Sequence, residues 1–171
     1  KSRVCSNQQQ IVRIDWESDR SLNSHLQGAL FDRICQSEFD GLLLSDYGKG
    51  ALTTDLIGKI LDLCKSRGVP SIVDPKGQDF SKYKGADLIT PNKKEASEAL
   101  GHIDSVMKHE QVAQLGRSLQ KNCGLNHVLI TLGAEGMMLI PSDPADQPTY
   151  QKSKARDVFD VSGAGDTVAA L

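Results

Sequence analysis

At 171 residues the chain is long enough for one domain with a sizeable core, and its 39% hydrophobic and 25% charged content is that of an ordinary globular protein. A net charge of -2 and a pI near 6.1 give no electrostatic reason to expect nucleic acid or an anionic membrane as partner. No apolar run approaches the roughly 20 residues that span a bilayer, and the first ten residues are too polar for a signal peptide. Cys5, Cys35, Cys64 and Cys123 are too scattered for a disulfide framework or zinc site, and the histidines at 25, 102, 109 and 127 lack metal-ligand spacing. The expectation is a cytoplasmic protein with reduced thiols that handles a small molecule. Because the chain opens on Lys1 rather than Met, an upstream segment is expected as well.

In chain order, residues 10–15 (QIVRID) alternate as a half-buried strand does. Leu22, Leu26, Ala29, Leu30 and Ile34 recur at helical spacing over 22–35. The run 41–45 (GLLLS) predicts a buried strand, and 46–50 (DYGKG) a glycine-rich loop behind it. Thr53 or Thr54 caps the next helix, whose inward face is Leu56, Ile57, Ile60, Leu61 and Cys64 and which Lys65, Arg67 and Gly68 end. Strands are predicted at 70–74 and 86–90, and helices at 92–100 and 108–121, the second with Val112, Leu115 and Leu119 inward. Strands follow at 128–131 and 136–140, then a surface loop over 142–148, a weakly alternating strand over 150–159, and a helix opening at 163.

Strands alternating with helices imply an α/β fold, a mostly parallel sheet covered on both faces, as one domain over 1–171. Ligands of such folds bind beyond the carboxyl ends of the strands. Four polar segments fall there: DYGKG, DPKG, TPNKKE and TLGAEG. The first two supply Asp46, Lys49, Asp74 and Lys76, groups able to pair with a phosphate, a sugar hydroxyl or magnesium. Ordinary loop lysines and turn aspartates have the same composition.

The segment 160–167 (DVSGAGDT) carries the most chemistry. Its small residues let a ligand approach the backbone, and N–H groups at a helix opening cradle anions. Such a cradle stabilises the charge of a transferring phosphoryl group, and a neighbouring aspartate can take the proton of an attacking hydroxyl. The same residues also suit a plain helix start with tight packing. By themselves Asn92 and Glu95 fit a helix capping box. Thr131, Gly133 and Gly136 form a glycine turn between strands. No G-x-x-x-x-G-K-[ST] occurs, so a P-loop kinase is unsupported, and no G-x-G-x-x-G opens a helix after the first strand.

D-x-x-G-A-G-D-T resembles the C-terminal signature of the ribokinase/PfkB sugar kinases. The resemblance implies a three-layer α/β/α fold and ATP with Mg²⁺ as cofactors. It implies Asp166 as the catalytic base, and Gly163, Ala164 and Gly165 as the anion hole. Asn92 would lie near the nucleotide phosphates, with Glu95 organising magnesium through water, and the turn at Thr131, Gly133 and Gly136 would lie beside ATP. Val161 departs from the Thr or Ser usual after the first aspartate.

Residues 7–17, 42–53, 73–92 and 158–168 together are similar to the bacterial kinases of D-glycero-β-D-manno-heptose 7-phosphate. These act at the anomeric O1 in ADP-heptose synthesis for the lipopolysaccharide core and often dimerise through lid strands. TLGAEGM (131–137) departs from their T-R-S-E-x-G-M pattern. No N-terminal G-G-x-x-x-N segment is found and the chain stops soon after Gly165, so the resemblance implies a fragment without the N-terminal lid and C-terminal helices. Two other readings stay open: a different ribokinase-type sugar or nucleoside kinase, and a non-catalytic sugar- or nucleotide-binding relative.

Overall fold

The computed structural model describes residues 2–6, 9–16, 20–101 and 107–153. The expected strand tail beyond 153, the helix opening at 163 and the whole 160–167 motif lie outside these residues.

Two short strands, β1 (Ser2–Ser6) and β2 (Gln9–Ile14), pair antiparallel as a separate two-stranded sheet. The alternation over 10–15 does mark a strand, but not a half-buried one: Ile11 is 66% exposed and neighbouring Trp16 72%, with Val4, Val12 and Ile14 also exposed. Among the described residues, this sheet has no second layer to bury its apolar side chains.

The main sheet has six strands in sequential order: β3 (Leu42–Ser45), β4 (Ser71–Asp74), β5 (Leu88–Ile89), β6 (His127–Thr131), β7 (Gly136–Ile140) and β8 (Thr149–Lys152). β3 to β6 run parallel; β7 is reversed against β6, and β8, antiparallel to β7, regains the direction of β3 to β6, with Gly136 opposite Lys152. The register lines up Leu44, Val73, Ile89, Val128 and Ile140 in one buried row across five strands. Onto that row pack α2 (Thr54–Arg67) and α4 (His109–Cys123). The opposite face, with Leu43, Ile72, Leu88, Leu129 and Leu139, is more open among the described residues.

Helix α2 has local reasons to begin, end and face inward. Thr53 Oγ1 accepts the Leu56 N–H at its start, and Gly68 ends it at φ 66°, a left-handed conformation that costs glycine no Cβ clash. Between them Leu56, Ile57, Ile60, Leu61 and Cys64 are all buried, the stripe expected from sequence. Burial of this kind is worth about 1.5–3 kcal/mol per large aliphatic side chain. In α4, Val112, Leu115 and Leu119 are buried as expected. Gly116 joins them because a Cβ there would sit 2.6 Å from Ile140 Cδ1, so helix and sheet approach closely.

Helix α1 (Ser24–Cys35) forms where its spacing predicts but shows a different face. Leu26 and Leu30 are 49% and 37% exposed, whereas Phe31 and Ile34 pack against the core. The cause is its seat: α1 docks on α2, off the side of the sheet, so a narrower stripe is covered. The four cysteines are free thiols, Cys64 buried among them.

A candidate active rim at the carboxyl ends of the strands

The ends of β3, β4, β5 and β6 are stitched side to side by main-chain bonds. Asp46 N–H donates to Asp74 O at 3.0 Å, Thr90 N–H to Val73 O at 2.9 Å, and Thr131 N–H to Pro91 O at 3.0 Å. Asn92 and Thr131 are bridge partners in parallel register. The four polar segments singled out from sequence thus form one continuous rim.

Asn92 caps α3 (Lys93–Ala99). Its side chain accepts the Glu95 N–H at 2.9 Å, while Glu95 Oε2 accepts the Asn92 N–H at 3.0 Å. The capping box foreseen as one meaning of N-x-x-E is therefore present. Glu95 has a second partner: Lys76 Nζ lies 2.8 Å from its Oε1. The bond to Glu95 raises the Lys76 ammonium above its usual pKa. A carboxylate whose oxygens are held by one cation and one N–H keeps lone pairs free for water.

The DYGKG and DPKG loops touch: a Cβ on Gly48 would stand 3.6 Å from Lys76 Cγ. Gly48 and Gly50 have φ of 67° and 79°, and at Gly50 a Cβ would come 2.7 Å from the Arg20 carbonyl, so that position requires glycine. Lys49 is exposed on this loop and Asp74 is half-buried at the end of β4.

Asp46 is placed differently from a ligand-facing carboxylate. Only 5% exposed, it accepts the Gly48 N–H on Oδ1 at 2.7 Å, and Lys82 Nζ and Tyr83 Oη on Oδ2, each at 2.7 Å. Burial by itself would raise its pKa, but the bonds from Lys82, Gly48 and Tyr83 outweigh burial and hold the carboxyl below its ordinary range. Burial, with the Asp46 carboxylate adding to it, pushes the Tyr83 hydroxyl far above its ordinary pKa, so it is a permanent donor. Lys82 and Tyr83 escaped the sequence analysis. They sit on a single 3-10 turn, Ser81–Tyr83, too short to have a periodicity, and their partner is 36 and 37 residues away.

At the β6–β7 turn, Thr131 is half-buried, and Gly133 has φ 62° with open space around it. Gly136 has φ 122°, and a Cβ there would meet Gln151 O at 2.1 Å, so its glycine is demanded by strand pairing whatever else the turn does. Asp166, Gly163, Ala164 and Gly165 lie outside the described residues. Two grooves lie away from the rim. One, between α1 and α2, is lined by Gln27, Phe31, Thr53 and Lys59; the other, at the opposite edge, is lined by Pro70, Ser71, Asp87 and Asn126. Among the described residues no three His, Cys, Asp or Glu side chains gather as a metal cage, and no helix is long and apolar enough to cross a membrane.

Residues 4–171 match the family model of the pfkB family carbohydrate kinases, and the chain belongs to that family. It is 43% identical to a bifunctional protein HldE of Desulfatibacillum aliphaticivorans over its whole length, and 44% identical to one of Pelobacter propionicus over 99% of it. These alignments cover 35% and 34% of the two relatives, so the chain spans about a third of their length. The fold is that of the ribokinase-like kinases. Phosphofructokinase-2 from Escherichia coli in complex with potassium superposes with a TM-score of 0.70 at 18% identity, covering 86% of this chain and 47% of that one. Arabidopsis thaliana ribokinase complexed with ribose and ATP superposes with a TM-score of 0.64 at 24% identity, covering 88% and 45%.

Proposed function

We propose that the protein of which this chain is the partial kinase domain transfers the γ-phosphoryl group of ATP to the anomeric O1 of D-glycero-β-D-manno-heptose 7-phosphate. The observation that carries this reading is the alignment of Asn92, Glu95, Lys76 and Thr131 along one rim in a pfkB family chain. The heptose assignment is supported by the four sequence stretches similar to heptose 7-phosphate kinases and by the relatives named HldE.

Asp166 accepts the O1 proton as O1 attacks the γ-phosphorus. The new O1–P bond forms as the bond from the γ-phosphorus to the β,γ-bridging oxygen breaks, and ADP leaves. The amides of Gly163, Ala164 and Gly165 hold the equatorial oxygens in flight. Asn92 and the turn carrying Thr131, Gly133 and Gly136 border the nucleotide phosphates. Lys49, Lys76 and Asp74 serve the phosphate-bearing substrates, as charge partners or as orienting acceptors.

The donor set fits magnesium that keeps most of its waters, because Glu95 is a rim carboxylate with lone pairs to spare and no group of three metal-ligating side chains gathers among the described residues. Bound with ATP, the ion neutralises phosphate charge; Glu95 would hold it through water. The product, the 1,7-bisphosphate, would enter ADP-heptose synthesis for the lipopolysaccharide core in the bacterial cytoplasm. The protein would be a homodimer without nucleic-acid or membrane partners.

The deciding experiment is ADP release by the full-length protein with Mg²⁺ and ATP. Heptose 7-phosphate, fructose 6-phosphate, ribose and adenosine are offered side by side. Turnover on heptose 7-phosphate alone, reduced about 10²–10⁴-fold in Asp166→Asn with ATP binding retained, is the expected result. Turnover on another member of the panel discards the heptose; near-normal kcat in Asp166→Asn discards the base.

A further inference from the structure

Asp46, Lys82 and Tyr83 form a buried polar cluster beneath the rim, and its bonds run in one direction. The Tyr83 hydroxyl has a single proton. It lies 2.7 Å from Asp46 Oδ2 and 3.2 Å from Lys76 O, so the proton goes to the shorter, charged acceptor. The hydroxyl oxygen is then free to accept the Lys76 N–H, 3.1 Å away. Asp46 Oδ1 meanwhile holds the Gly48 N–H of the neighbouring loop. One carboxylate therefore fixes two adjacent loops, and Lys82, with 18% side-chain exposure, neutralises it at the same oxygen that Tyr83 meets. From its pinned main chain, Lys76 reaches out to Glu95, and Glu95 is locked to Asn92.

We propose that Asp46 and Tyr83 are positioning residues for Lys76: the buried carboxylate orients the tyrosine hydroxyl, and the hydroxyl fixes the main chain from which the Lys76 ammonium meets Glu95. The inference builds on the reading of this rim as a kinase site. It moves Asp46 from a sugar contact to a support beneath one, because the residue is buried and both of its oxygens already accept bonds inside the protein. Nothing in the cluster needs a bound ligand to be satisfied, which is what a pre-organised support requires.

The test compares Tyr83→Phe, Asp46→Asn and Lys76→Ala in the full-length protein. Tyr83→Phe removes one hydroxyl and leaves the ring in the core, so it survives as a folded protein even if Asp46→Asn does not. The expected result is that Tyr83→Phe raises the KM of the same substrate whose KM Lys76→Ala raises, by about three- to tenfold, and leaves the other substrate's KM alone. Wild-type KM values in Tyr83→Phe alongside a lowered Tm would overturn the proposal, as would a Lys76→Ala protein with unaltered kinetics. Should the wild type phosphorylate no sugar, the kinase reading falls, and a double-mutant cycle of Tyr83→Phe with Glu95→Gln on urea unfolding decides the positioning role. Non-additivity of about threefold or more in the unfolding equilibrium constant sustains it, and additivity overturns it.

Discussion

Lys76 Nζ and Glu95 Oε1 stand 2.8 Å apart, joining the loop after β4 to the first turn of α3. Glu95 thus has two structural partners at once, the lysine and the Asn92 N–H. Its exposure differs sharply from its partner's: 14% of the glutamate side chain meets solvent against 54% of the lysine's. An ion pair with one half-exposed member adds little stability, about 0–1 kcal/mol.

Glu95→Gln should therefore change Tm by no more than a few degrees, since the amide can still accept the Asn92 N–H. The same substitution should lower kcat about tenfold or more and raise the Mg²⁺ concentration needed for half-maximal rate. Steady-state kinetics over a Mg²⁺ series checks this. An unaltered Mg²⁺ dependence would leave Glu95 with its cap and its ion pair alone.

Gly136→Ala should destabilise the fold by at least ~2 kcal/mol, because the added Cβ meets Gln151 O and the φ of 122° is hostile to side chains. Gly133→Ala, with no atom in reach of its Cβ, should cost only about 1 kcal/mol for its positive φ. Urea unfolding of the two variants separates them. Equal losses would contradict the packing of β7 against β8.

The Asp46 carboxyl titrates below its ordinary value of 3.8 in the folded state. Its share of the stability is complete above that ordinary value and is lost as pH falls through the lowered folded value. Asp46→Asn should flatten the acid limb of the stability curve below pH 3.8 and lower stability above it, where Lys82 is left with no carboxylate to pair with. Thermal melts from pH 2 upward, roughly a unit apart, would show it.

At the opposite edge of the sheet, Asp87 Oδ2 accepts both the N–H and the hydroxyl of Ser71, each at 2.8 Å, joining the starts of β4 and β5. Asp87→Ala should cost about 1–3 kcal/mol and leave KM and kcat per folded molecule at wild-type values. Kinetics at a temperature well below the variant's Tm makes the comparison. A changed KM would mean the two edges are coupled.

Sequence legibility followed the range of the interactions. Helix α2 could be written down in advance because its cap, its apolar stripe and its terminal Gly68 all lie within sixteen residues of one another. The strands could be named, and so could their carboxyl ends, where Asn92, Glu95, Lys76 and Thr131 do fall. What could not be read was which side chains those ends would spend on one another. Asp46 has the composition of a ligand-facing loop residue until Lys82 and Tyr83 arrive from the next crossover. Helix α1 and strand β2 show the same limit: period reveals an amphipathic element, but what covers its apolar side is decided by docking, and Leu30 and Ile11 stay exposed.

The two antiparallel pairings at this edge, β6 with β7 and β7 with β8, have a consequence of parity. The chain sets off from the rim at Gly136, crosses the sheet along β7, and is brought back to the rim by β8 at Lys152, directly opposite its starting point. Without β8, the reversed β7 would have released it at the far edge, about 15 Å away. The second turn makes the hairpin a return path, so Ser153 leaves the sheet at the β6–β7 turn, its N–H bonded to Glu135 O, on the side of the molecule where Asn92 and Lys76 already stand.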